Sequence, residues 1–167
     1  MEKGRTGLIA SYLFVAVVTS GAFYWLNHLS VSQTNAVLDF YKTVVELFFC
    51  NDHYYAEELG YVGSGYTIGE ACLGLNILVF LFGVCGLTSI AKTRGYKKIV
   101  CLLLSLALAV SVGVFANILR LLGSVYFTAH ADFTVIHALL GILIYLAAVI
   151  FCHRTVQKIT ERWRDAQ

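Results

Sequence analysis

Charge is what this sequence has least of: only 13% of its 167 residues are Asp, Glu, Lys or Arg, while 59% are hydrophobic. That balance is too apolar for a soluble domain of this length, and the apolar runs are too long for core helices. The net charge of +2 is too small to argue for a nucleic-acid partner. There is no proline, hence no proline-rich linker, and no repeat or low-complexity tract. Nothing therefore marks off a second domain. No His-Glu-x-x-His pattern occurs, which argues against a membrane metalloprotease, and no Cys-x-x-Cys, which argues against a thiol oxidoreductase.

What is present is a set of four apolar segments, Gly7 to Leu26, Leu73 to Ala91, Ile99 to Ile118 and Phe133 to Cys152. About 20 helical residues cross the hydrocarbon, so each is long enough to span it. The expected fold is an all-α integral membrane protein, a four-helix transmembrane bundle forming a single membrane domain over residues 1–167. The first segment also resembles a signal peptide, since Lys3 and Arg5 precede it. Its apolar run continues through Phe23, Tyr24, Trp25 and Leu26, which favours a retained span ending in an aromatic belt.

The basic residues set the orientation. Lys3 and Arg5, then Lys92, Arg94, Lys97 and Lys98, then Arg154, Lys158, Arg162 and Arg164 all fall on one side, ten of the twelve Lys and Arg. The positive-inside rule makes that side cytoplasmic, with both termini inside. Asp39, Glu46, Asp52, Glu57, Glu58, Glu70 and Asp132 fall on the other side. The expected location is the plasma (inner) membrane. Between the first two spans an outer segment, residues 27–72, opens with an amphipathic helix at about 36–49. There Val37, Phe40, Tyr41, Val44, Val45, Leu47 and Phe48 recur near helical spacing. Asn51 to Gly69, rich in Tyr, Gly and acid, reads as an irregular loop.

Helical rise brings three chemically capable residues to one depth. Arg120 is 22 steps beyond Lys98, roughly 33 Å, which places it at the outer boundary. Counted back from Lys92 and Arg154, Cys72 and His137 lie about 30 Å and about 25 Å away, near the same face. Each has a plainer explanation. An arginine at a span end can snorkel to the interface, and a single histidine can be hydrogen-bonded inside the bundle. Asn117, three residues before Arg120 on the same helical face, argues that this face turns toward protein or a water-filled cavity. Gly141 and Tyr145 share the face of His137, and Gly141 would let another helix approach.

Most membrane cysteines are small apolar fillers. Cys85 and Cys101 lie within spans and Cys152 at the cytoplasmic end, whereas Cys72 lies at the outer end of the second span. Thr67-Ile68-Gly69-Glu70 has the form of a capping box, which predicts that the helix starts near Thr67 with Cys72 early in it. A position near a helix start and an arginine suits a reactive thiol. Only Cys50 shares the outer side, so a Cys50 to Cys72 disulfide is the rival reading.

The stretches Gly69-Glu70-Ala71-Cys72-Leu73-Gly74-Leu75-Asn76, Ala116-Asn117-Ile118-Leu119-Arg120 and His137-Ala138-Leu139-Leu140-Gly141 resemble the exosortase and archaeosortase family of membrane cysteine transpeptidases. The resemblance covers roughly Tyr61 to Tyr145 in the family's order and spacing. In size the chain looks most like the small exosortase K type. Leu73 departs from the family, which often has Ser after the cysteine, so no role is carried over for that position.

The resemblance implies a membrane enzyme that cleaves the C-terminal sorting signal of secreted proteins, a short motif, a transmembrane helix and a basic tail. It also implies transfer of the product to a cell-envelope acceptor. It carries over Cys72, Arg120 and His137 as catalytic residues. On chemical grounds Cys72 is the nucleophile that forms a thioester, and Arg120 the stabiliser of thiolate or oxyanion. His137, with a reference pKa of about 6.5, is the general acid and base. Asn117, Asn76 and Glu70 are candidates for orienting the substrate, and His53 and His130 are alternative bases. No metal or cofactor is called for, and the partners expected are the sorting signal, membrane lipid and the acceptor. The alternative is a non-enzymatic transporter subunit or assembly factor in which Arg120 and His137 line a polar cavity at the outer face. Clustering at one face counts against a proton path, which needs polar groups through the midplane.

Overall fold

A computed structural model describes residues 2–26, 28–49, 53–57, 59–93, 96–128, 130 and 132–165, with the side chains of 2–8 and 164–165 left aside. Five α-helices carry most of it: α1 Glu2–Leu26, α2 Val31–Phe49, α3 Leu75–Lys92, α4 Lys97–Phe127 and α5 Phe133–Asp165. Four of them, all but α2, are long and apolar enough to cross a membrane. Their exposed Leu, Val, Ile and Phe side chains, such as Leu13, Phe80, Leu103 and Leu143, are ordinary for surfaces covered by lipid. This is a helical membrane protein.

Local chemistry fixes several boundaries. α2 starts five residues earlier than its apolar spacing suggested, because a capping box stands at Ser30 and Gln33. The Ser30 N–H donates to Gln33 Oε1 at 3.0 Å, and the Gln33 N–H returns to Ser30 Oγ at 3.3 Å. Asp132 caps α5, its Oδ1 accepting from the backbone of Thr134 and Val135. The box expected at Thr67 does not form. Thr67 lies in a strand, and a short 3-10 turn, Glu70–Cys72, follows Gly69 with no side-chain cap. α3 begins only at Leu75.

The loop expected over Asn51 to Gly69 is also corrected. Three strands, β1 Tyr54–Ala56, β2 Gly60–Gly63 and β3 Tyr66–Ile68, form an antiparallel sheet in the order β1-β2-β3. Tyr54 pairs with Val62, and Val62 with Thr67. Aromatic residues suit these strands, and Gly60 at the start of β2 and Gly65 in the turn before β3 adopt positive φ.

The residues form two compact units. The first comprises Met1–Asn27, Leu75–Gly113 and Ala147–Gln167. In it α1 packs on α3 at glycines: a Cβ on Gly83 would lie 3.3 Å from the Thr19 methyl, and one on Gly86 3.3 Å from Val15. Ser89 and Ser105, both fully buried, pair hydroxyl to hydroxyl at 2.7 Å. The second unit comprises His28–Gly74 and Val114–Leu146. Its core joins Leu38, Tyr41 and Val45 of α2, Tyr66 and Ile68 of β3, Cys72, and Leu121 and Val125 of α4.

Candidate active site

Cys72, Asn117, Arg120 and His137 all belong to the second unit. Between the 3-10 turn and the start of α3 the chain breaks its helical hydrogen-bond ladder, so the carbonyls there have no intrahelical partner. Three successive ones are instead taken by side chains from elsewhere. Ala71 O accepts from Arg120 Nη2 at 2.9 Å, Cys72 O from Asn117 Nδ2 at 2.6 Å, and Leu73 O from the Tyr41 hydroxyl at 3.3 Å. Two helices, α2 and α4, thereby hold the segment that carries the cysteine.

Gly74 makes the Asn117 contact possible. Its φ is +65°, and a Cβ there would lie 2.6 Å from Asn117 Oδ1 and 2.7 Å from Nδ2. No residue with a side chain fits. Asn117, fully buried, is held in turn by Tyr145, whose hydroxyl donates to Oδ1 at 2.7 Å. The same hydroxyl accepts from Arg120 Nη1, and the guanidinium carbon lies 5.1 Å from the centre of the Tyr145 ring. Burial pushes the Tyr41 phenol above its ordinary pKa.

Arg120 also contacts His137 directly, Nη2 against Nε2. Hydrogen-bond accounting assigns the tautomer. Arginine can only donate, so Nε2 is the acceptor and the ring proton sits on Nδ1. Nδ1 lies 2.9 Å from Ser124 Oγ, and Ser124 spends its own proton on the Arg120 carbonyl at 2.6 Å. The result is a closed ring running from the Arg120 side chain through His137 and Ser124 to the Arg120 backbone. Phe133 stacks on the imidazole, centroids 5.1 Å apart and planes 18° from parallel.

No protein-family model, curated protein or solved structure matches this chain.

The Cys72 side chain is buried and its thiol donates to the Thr67 carbonyl, Sγ to O 3.7 Å. Arg120 and His137 thus touch each other, and Arg120 touches the backbone beside Cys72, while the sulfur itself bonds to β3. Cys72 is a free thiol; the rival disulfide partner Cys50 lies outside the described residues. Glu70 is exposed at the start of the 3-10 turn, and Asn76 is exposed in the first turn of α3, which belongs to the other unit. The Glu70 side chain makes no bond to the network around Asn117 among the described residues. Of the alternative bases, His130 is exposed, whereas the side chain of His53 is covered with both ring nitrogens engaged, Nδ1 by Glu46 at 3.2 Å and Nε2 by Tyr66 at 2.8 Å. Among the described residues no three His, Cys, Asp or Glu side chains are grouped to hold a metal ion.

Tyr41 and Ser124 are the members that sequence reasoning passed over. Tyr41 reads as one apolar position of an amphipathic helix, and Ser124 shares with Arg120 a spacing of four. That spacing was the available signal, since it puts Ser124 on the arginine's face.

Proposed function

We propose that this protein is a membrane-embedded cysteine protease and transpeptidase of the exosortase type. It cleaves the C-terminal sorting signals of secreted proteins and passes the product to a cell-envelope acceptor. The site faces outward, with both termini cytoplasmic, as the distribution of Lys and Arg supports. The observation that carries the reading is the carbonyl clasp: Arg120 binds the backbone beside a free cysteine and the imidazole of His137 at once.

In this reading the resting arrangement keeps the reactive groups covered. Arg120 occupies His137 Nε2, and the thiol is bonded to Thr67. When a scissile carbonyl enters, Arg120 turns to the oxygen where negative charge develops, which uncovers Nε2 to take the thiol proton. The sulfur attacks the carbonyl carbon, and His137 returns the proton to the departing amine as the C–N bond breaks. A thioester on Cys72 remains. An acceptor nucleophile then loses its proton to His137, attacks the thioester and releases the thiol.

The test is processing of a co-expressed substrate. Cys72→Ala abolishes cleavage and the thioester adduct detectable by mass spectrometry, while Cys50→Ala leaves both. Cleavage at the wild-type rate by Cys72→Ala sinks the assignment and returns the non-enzymatic reading.

A further inference from the structure

Arg120 has five N–H donors, and the protein occupies three of them through Tyr145, Ala71 and His137. Its Nε is buried without an acceptor. A buried donor on a charged group left unpaired is costly, and most such groups in folded proteins find a partner. Beside it lies an open notch of about 290 Å³, lined by Arg120, His137, Ala138, Gly141, Ile142 and Tyr145. All six belong to the second unit. Gly141 creates the space next to the arginine: a Cβ there would lie 3.4 Å from both Cδ and Nε of Arg120. Ala138 and Ile142 on the rim are exposed.

We infer that this notch seats the extended backbone of the substrate, with a peptide carbonyl as acceptor for the unfilled donors of Arg120. The inference rests on the peptide-processing reading above. The vacant groups are N–H donors, so the occupant brings an oxygen. The volume is near the lower bound of small-ligand pockets, about 300 Å³, so it takes a short segment and not a folded element. An extended segment just ahead of an apolar span has carbonyls with no intrahelical partner, and at the membrane such groups must be satisfied. Carbonyls within a helical span are already bonded and do not fit the donor. The small floor at Gly141 lets a backbone approach as closely as a carbonyl bond requires.

Photocrosslinking tests this on the full chain in lipid nanodiscs. A photoreactive phenylalanine analogue replaces Ile142 at the rim or, as the control, Phe115 on α4 outside the notch; both are well exposed, 66% and 61%. The probe is a biotinylated peptide with a polar extended segment ahead of an apolar span of about 20 residues. A hydrogen bond to a charged donor predicts about tenfold more peptide adduct at position 142 than at 115. The excess disappears with Ala138→Trp, which fills the notch from its rim, and with a probe lacking the extended segment. Equal adducts at both positions, or phospholipid as the sole adduct at 142, overturn the inference. The measurement is repeated in Cys72→Ala, where no thioester forms. Docking at position 142 without Cys72-dependent cleavage overturns the catalytic reading alone, and cleavage without preference for position 142 overturns the docking site alone.

Discussion

The Asn117 side-chain amide donates to the carbonyl of Cys72 at 2.6 Å, and the same carboxamide occupies the space that a side chain on Gly74 would need. The two residues are therefore mutually dependent. A side chain at position 74 both meets Asn117 and has to adopt a left-handed backbone. Gly74→Ala is expected to destabilise the protein by about 1 to 3 kcal/mol. It also displaces Cys72, so substrate processing falls further than stability accounts for. Thermal unfolding in detergent, set beside the processing rate of the fraction that remains folded, checks both parts.

Asn117 and Tyr145 act as a pair. Asn117→Leu keeps the volume but leaves the Cys72 carbonyl and the Tyr145 hydroxyl without their partner, a loss of about 1 to 3 kcal/mol. Tyr145→Phe removes one hydroxyl that bonds to both Asn117 and Arg120. In a double-mutant cycle the combined loss is smaller than the sum of the two, because both changes break the same bond. Strict additivity contradicts the network.

The His137 tautomer is a spectroscopic prediction. Nitrogen chemical shifts of labelled histidine should show the proton on Nδ1 and a bare Nε2 in the resting protein. Arg120→Met removes the donor that holds Nε2 as acceptor, and Ser124→Ala removes the acceptor that holds the proton on Nδ1. Each single change is expected to mix the two tautomers. A wild-type protein with its proton on Nε2 contradicts the ring of hydrogen bonds.

Tyr61 supplies a dependence on pH outside the spans. The hydrogen bond to the Asp39 carboxylate pushes its phenol up to about 12, from the ordinary 10.0. The folded state therefore keeps the proton where the unfolded chain has begun to lose it. This contribution to stability is whole below about pH 10 and is lost as pH rises through about 12. The ultraviolet absorbance of tyrosinate and the unfolding midpoint, followed across that window, should change less in Tyr61→Phe. The group is partly exposed and screened by solvent, so the effect is small.

The four spanning helices were legible in the sequence because apolar runs of spanning length leave little choice in lipid. Counting helical rise between charges put Cys72, Arg120 and His137 at one depth, while the direct contact of Arg120 with His137 came only with the structure. The capping pattern was applied only at Thr67 to Glu70, where a strand competes with it, and was not read at Ser30 and Gln33, where nothing does. Ser30 and Gln33 form the box, while Thr67 to Glu70 has the same spelling but gives Thr67 to a strand paired with Val62. The small sheet went unseen because its strands are three or four residues long, too short for alternation to register. The carbonyl clasp was illegible for a different reason. Its acceptors are main-chain atoms, which every residue has, so no pattern of side chains announces them.

Leu73 stands where a hydroxyl residue is often found after the cysteine in the family the motifs resemble. Here position 73 enters the clasp only through its carbonyl, bonded to Tyr41, while its side chain packs against the core around Tyr41 and Leu121. The same holds at Ala71, whose exposed side chain takes no part in what its carbonyl does. Both neighbours of the cysteine therefore act on the sulfur through their carbonyls, and Leu73 through its packing as well. The place of the sulfur is thus written at a distance, in Tyr41, Asn117 and Arg120, and beside it in the bare backbone of Gly74.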